Sequence, residues 1–166
     1  PSMGSTLYAI EIPDEGGNTL FASCIKAYDA LSDDWKQRIE GLRALNYYDY
    51  ARNPTMRPDD VNPDVPQWTH PVVRVHPETG KKAIYVNRLM SILIEGLSAE
   101  ESDEILNFLF DHIEKPEFVY EHVWTVGDMM MWDNRCSVHA RKYFSPKKRR
   151  MMRRVTVRDA IPFAAA

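Results

Sequence analysis

The residues with the types and spacing to do chemistry are five histidines and a late cluster of arginines. His139 stands apart from the other histidines because it follows Asp133-Asn134-Arg135, a polar turn that can aim a side chain into a cavity. Beyond it, in the strand-like run RRMMRRVTV, Arg150 and Arg154 recur four residues apart. A strand alternates faces at every residue, so these two point the same way, about 13 Å apart. Arg149, Met151, Arg153, Val155 and Val157 take the opposite face. An imidazole and two guanidiniums on one cavity suit a metal and two anionic groups, because a guanidinium grips a carboxylate through two parallel hydrogen bonds. The same run also reads as a solvated basic edge that protects a strand from pairing. A third reading is a patch for nucleic acid or anionic lipid. On the residues alone these readings stay open, and His139 is a candidate ligand without an assigned companion.

The remaining histidines favour structural roles. His112 falls in the last turn of a helix, where a cation suits the dipole. His70 and His76 each precede proline in a strand-turn-strand unit, and His122 sits in a strand with its face undetermined.

The elements that must position these groups are mostly short strands. Ser5 to Ile12 reads as a strand. Pro13 to Asn18 is turn chemistry, and a short helix carrying Phe21, Cys24, Ile25 and Tyr28 is expected after Thr19-Leu20. Ser32 caps a second helix that buries Trp35, Ile39 and Leu42 and frays near Asn46. Tyr47 to Thr69, with four prolines and little periodicity, reads as an irregular, lid-like excursion. His70 to Val75 and Ala83 to Val86 form a hairpin around a Gly80 turn. Ser98 and Glu101 make a capping box for a helix with the apolar stripe Ile105, Leu106, Leu109, Phe110 and Ile113, ended by Pro116. Strands are expected at Val119 to Trp124, Met129 to Trp132 and Arg149 to Val157. Short strands with a few helices between them indicate a mainly β, single-domain chain over residues 1–166: a sandwich or barrel with flanking helices (α+β).

At 166 residues the chain can bury one sizeable core, and a net charge of −3 excludes polyanion binding by bulk charge. Nine basic residues nevertheless lie within positions 141–158. Cys24 and Cys136 form neither a disulfide framework nor a metal knuckle and read as reduced residues of a cytoplasmic protein. No apolar run approaches the length that spans a bilayer, so no membrane partner is expected.

Four segments, GGNTLFAS from Gly16, HPVVRVHPETGKKAIYVN from His70, GDMMMWDNRCSVHA from Gly127 and RRMMRRVTV from Arg149, resemble the TauD/TfdA (taurine dioxygenase) family of Fe(II)- and 2-oxoglutarate-dependent dioxygenases. With FLFDHIEKPEF before Val119 the resemblance covers nearly the whole chain. It implies a double-stranded β-helix, or jelly roll, with helices outside. It implies that His139 is the distal iron ligand, that Thr19 and Arg150 hold the far carboxylate of 2-oxoglutarate, and that Arg154 meets an acidic group of the substrate. Asn18 stands where the family commonly has Asp.

The family's His-x-Asp ligand pair precedes that threonine by some two dozen residues, and only eighteen residues precede Thr19. The pair is therefore expected upstream of Pro1, with this chain as the C-terminal portion and inactive alone. The implied partners are a small, anionic organic substrate and O2, with no nucleic acid; self-association is left open. The competing expectations are a non-catalytic jelly-roll module and a basic-edged nucleic-acid interaction domain.

Overall fold

The computed structural model describes residues 2–48 and 61–158. The strands in chain order are β1 (Ser2–Glu11), β2 (Thr19–Ser23), β3 (Arg43–Tyr47), β4 (Gln67–Pro71), β5 (Val73–Val75), β6 (Lys82–Ile84), β7 (Ser91–Ile94), β8 (Val119–His122), β9 (Met129–Asp133), β10 (Ser137–Arg141) and β11 (Met151–Arg158). Three α-helices lie among them: α1 (Cys24–Asp29), α2 (Asp33–Ile39) and α3 (Ala99–Ile113).

Two antiparallel three-stranded sheets, β11-β1-β9 and β10-β2-β8, face each other as the jelly roll. They meet where Phe21 of β2 packs on Trp132 of β9, with ring centroids 5.1 Å apart. Strand parity then fixes which side chains line the inner faces. His139 lies opposite Phe21, and Thr19 lies between Arg141 and His122. On the other sheet Leu7 lies between Met130 and Arg154, in phase with the Ser5–Trp132 pair.

The opposite phase of β10-β2-β8 turns away from the jelly-roll interior. There Ala22, Val119 and Val138 join the main apolar core with α1, α3 and the small strands, through Cys24, Ala27, Val72, Ile84, Ile94, Leu109 and Ile113. Sheet β4-β3-β7 and the β5-β6 hairpin complete that side. One sheet thus has an apolar back, which fixes it to the helices, and a front that is free to carry polar chemistry.

Helix α3 forms as its sequence requires. Ser98 Oγ accepts from the Glu101 N–H at 3.2 Å, and the Glu101 carboxylate accepts from the Ser98 N–H at 3.1 Å. Ile105, Leu106, Leu109, Phe110 and Ile113 are buried. His112 is also buried, and its Nε2 lies 2.8 Å from the Ala27 carbonyl, tying α3 to α1. Its structural role is as expected; the device is this cross-helix hydrogen bond. Ser32 caps α2 by accepting from the Trp35 N–H at 3.3 Å. No helix among the described residues is long and apolar enough to cross a membrane.

Several local expectations shift. Phe21 belongs to β2, not to a helix; Ser23, accepting from the Lys26 N–H, caps α1 at Cys24. The segment after α2 does not fray: Arg43–Tyr47 pairs on both sides as β3. The excursion from Tyr47 to Thr69 is narrower, because Tyr47 closes β3 and Gln67 opens β4; its residues 49–60 lie outside the described residues. His70 sits in β4, opposite Ala44, and not in the hairpin, which is β5 with β6. Strands β7 and β10 were not anticipated. Both cysteines are free, and burial pushes the Cys24 thiol up to about 12.

Candidate active site

The inner face of β10-β2-β8 carries two of the four anticipated residues, Thr19 and His139, and the segment just before β11 brings Arg150 to the Trp124 ring that bonds Thr19. Thr19 is 2 % exposed. Its Oγ1 accepts a hydrogen bond from the Trp124 indole N–H at 2.9 Å. An indole nitrogen only donates, so this bond occupies an oxygen lone pair and leaves the Thr19 hydroxyl hydrogen available to donate. Trp124 is buried, with its ring edge-on to His122 at 4.5 Å. The Arg150 guanidinium lies 6.0 Å from the centroid of the same indole. Trp124 therefore links the two groups expected at a carboxylate, a role no local signal in the sequence announced.

Arg150 is half-buried, and its Nε donates to the Gly17 carbonyl at 3.2 Å. Gly17 has φ of +73°, and a Cβ there would approach Pro13 Cγ at 3.2 Å and the Arg150 Cδ and Nε at 3.3 Å. Glycine is needed at this place both for the left-handed turn and for the close passage of the arginine. Among the described residues Arg150 has no carboxylate partner. Burial, and after it the charge of Arg141, disfavour its protonated form relative to a free arginine. A cation so placed is a site for an anion.

His139 sits in the middle of β10. Its ring centroid is 4.8 Å from that of Trp132 and 6.3 Å from that of Phe21, and the rest of the ring is open. Burial against these aromatics, and then the nearby Arg154 charge, lower its pKa. Both causes favour the neutral imidazole, the form that a metal ligand takes. Arg154 lies on the inner phase of β11, exposed to solvent. Met151 opens β11, so Arg149 and Arg150 precede the strand; they still diverge, Arg149 pairing with Glu11 at 3.3 Å and Arg150 turning to Gly17.

Other titratable groups are committed to structure. His-x-Glu, a spacing that can ligate a metal, occurs at His76–Glu78 and His112–Glu114. Glu114 pairs with Arg88 at 3.1 Å, and His112 holds Ala27. His76 Nδ1 accepts from the Thr79 N–H at 3.3 Å, so Nε2 carries the proton that it donates to Asp133 at 3.0 Å. Arg135 clamps the same Asp133 carboxylate at 2.6 to 3.1 Å and reaches Glu78 at 2.9 Å.

His76, Asp133 and Cys136 are the one three-residue grouping with metal-ligating atoms close together, within 4.8 Å, among the described residues. The Arg135 charge on that carboxylate makes it a structural knot, not a cation site. It fixes the turn that leads into β10 and hence the placement of His139. His122 faces inward and bonds Asp128 at 3.1 Å. His70 is buried, and burial lowers its pKa to about 4. Among the described residues His139 remains the candidate metal ligand.

The basic run is partly neutralised. Lys142 pairs with Glu121 at 3.0 Å, Lys148 with Asp14, and Arg149 with Glu11. Arg141, Arg150 and Arg154 have no carboxylate partner among the described residues.

Comparison with known proteins places the chain in a family. The model of the taurine catabolism dioxygenase TauD, TfdA family matches residues 1–156. An alpha-ketoglutarate-dependent 2,4-dichlorophenoxyacetate dioxygenase of Burkholderia sp. (strain RASC) is 37% identical over 155 residues, covering 92% of this chain and 52% of that protein. Pentalenolactone F synthase of Streptomyces avermitilis is 35% identical, over 90% of this chain and 54% of its own length. The crystal structure of AAD-2 in complex with Mn(II) and N-oxalylglycine superposes with a TM-score of 0.88 at 34% identity, covering 98% of this chain and 65% of that one. The chain spans about half the length of the curated relatives it matches. It belongs to the TauD, TfdA family of dioxygenases.

Proposed function

We propose that the protein is an Fe(II)- and 2-oxoglutarate-dependent dioxygenase that hydroxylates a small, anionic organic substrate. The observation that carries this reading is Arg150: a half-buried guanidinium without a carboxylate partner among the described residues, set beside a threonine whose hydroxyl hydrogen is free to donate. Together they form a receptor for one carboxylate. Relatives named as alpha-ketoglutarate-dependent dioxygenases, and a structural neighbour holding N-oxalylglycine, support 2-oxoglutarate as the owner of that carboxylate.

His139, favoured in its neutral form and open on one side, suits one ligand position on the metal. Bound Fe(II) with 2-oxoglutarate and O2 supplies the oxidising chemistry, which releases succinate and carbon dioxide as substrate is hydroxylated. This chain's residues supply placement. Arg150 and Thr19 fix the far carboxylate, and Trp124 orients the Thr19 hydroxyl. Trp132 and Phe21 hold the His139 ring and keep water from its covered side. Arg154, close enough to His139 to influence its charge, supports an acidic group on the substrate. The pairing of Lys142, Lys148 and Arg149 with carboxylates weighs against a nucleic-acid footprint on the same edge.

The test is succinate formation from 2-oxoglutarate by the natural full-length protein with Fe(II). His139→Ala is expected to abolish it while the protein stays folded. Turnover at the wild-type rate in that variant would remove His139 from the site.

A further inference from the structure

The far end of the proposed cosubstrate site holds more positive charge than one carboxylate clamp requires. Arg141 is the last residue of β10 and lies directly opposite Thr19. In an antiparallel pair, directly opposed residues point to the same side of the sheet. Arg141 therefore leaves the strand on the phase of Thr19 and His139, whereas Lys142, on the other phase, finds Glu121 at 3.0 Å.

The Arg141 guanidinium is stacked over Phe144, 4.7 Å from the ring centroid. The chain around Phe144 is in turn pressed onto the glycine turn: Gly17 N–H donates to the Tyr143 carbonyl at 3.2 Å, and Lys142 N–H donates to the Asn18 carbonyl at 2.8 Å. Arg150 is anchored to the other side of that turn through the Gly17 carbonyl. Two guanidiniums are thus pinned around residues 16–19, near enough for Arg141 to depress the charged form of Arg150. Neither has a carboxylate partner among the described residues. Two like charges held together without a counter-ion destabilise each other until an anion arrives.

We propose that Arg141 is a second cationic group for the far carboxylate of the cosubstrate and makes the site selective for dicarboxylate over monocarboxylate 2-oxo acids. The inference rests on the 2-oxoglutarate reading and adds to it a specificity determinant. Arg150 with Thr19 supplies the directional hydrogen bonds. Arg141, more exposed, supplies charge, which favours a dianion without demanding one geometry.

The experiment is equilibrium titration of the Mn(II)-loaded full-length protein, followed by tryptophan fluorescence, with N-oxalylglycine and with 2-oxobutyrate, which lacks the far carboxylate. Arg141→Gln is expected to raise the Kd for N-oxalylglycine about tenfold. It should leave that for 2-oxobutyrate within about twofold. Arg141→Lys, which keeps the charge, should stay within about threefold of wild type for both. Equal weakening of both ligands by Arg141→Gln would assign Arg141 a packing role and overturn the proposal. So would an unchanged Kd for N-oxalylglycine in Arg141→Gln while Arg150→Ala loses binding; that outcome leaves the 2-oxoglutarate reading standing. Unchanged binding in both variants would refute that reading itself.

Discussion

Arg150→Ala is expected to weaken 2-oxoglutarate binding by roughly 100-fold or more, the loss of a charge-assisted, bidentate contact in a partly desolvated site. Among the described residues the side chain makes one hydrogen bond, to the Gly17 carbonyl, and its guanidinium lies 6.0 Å from the centroid of the Trp124 ring. Its removal takes away little that holds the fold, so the melting temperature should change by no more than about 2 °C. Divalent metal affinity should also be unchanged, because His139 lies two residue pairs from the Thr19 end of the sheet and receives its packing from Trp132 and Phe21. Isothermal titration with N-oxalylglycine, followed by titration with Mn(II) alone, separates these effects. A large loss of metal binding together with the anion would mean that Arg150 organises the site and does not grip the carboxylate. Arg150→Lys should recover only part of the affinity, since an ammonium cannot reproduce two parallel hydrogen bonds.

The second large effect is on stability. Asp133→Ala should destabilise the protein by about 3 to 5 kcal/mol, because it takes from the buried Arg135 the carboxylate that clamps it, leaving only exposed Glu78, and leaves the His76 N–H without its acceptor. For a chain of this size that corresponds to a fall in melting temperature of roughly 6 to 20 °C. The same carboxylate makes stability depend on acid. Burial by itself raises the Asp133 pKa, but hydrogen bonds from Arg135 and His76 outweigh it and hold the group at about 2. With the folded pKa below the ordinary 3.8, this contribution is fully present above about pH 4 and is lost as pH falls toward 2. It amounts to about 1 to 2 kcal/mol once solvent screening is allowed for. Chemical denaturation at pH 6 and pH 3 should show the difference in wild type and a smaller one in Asp133→Ala. Equal acid sensitivity in the two proteins would assign the effect to other carboxylates.

These two groups were unequally legible in the sequence. Arg150, with His139, Thr19 and Arg154, could be named because residue types and spacing match a family pattern, and strand parity separated Arg150 from Arg149 without knowledge of the fold. The clamp on Asp133 could not, because His76 is 57 residues away and its approach depends on how the β5-β6 hairpin packs against the turn after β9. Trp124 was invisible for the same reason: its bond to Thr19 spans 105 residues. Helix α3 was legible to its cap because capping box and apolar stripe are local. Strand β10 was missed although SVHAR alternates polar and apolar residues as a half-buried strand does, because it is only five residues long and follows directly on the Asp133-Asn134-Arg135 turn. Strand β3 was missed because RALNY is too short to break the helical reading of what precedes it. Both strands are only five residues long, too short for periodicity to outweigh the turn or helix read beside them.

The central claim is that one carboxylate of 2-oxoglutarate is held between Arg150 and Thr19 beside a metal on His139. The most direct measurement is a crystal structure of the full-length protein with Mn(II) and N-oxalylglycine. The account predicts the far carboxylate within hydrogen-bonding distance of both the Arg150 guanidinium and Thr19 Oγ1, with an imidazole nitrogen of His139 on the metal. A carboxylate bound elsewhere, with Arg150 still on the Gly17 carbonyl and His139 free of metal, would contradict it.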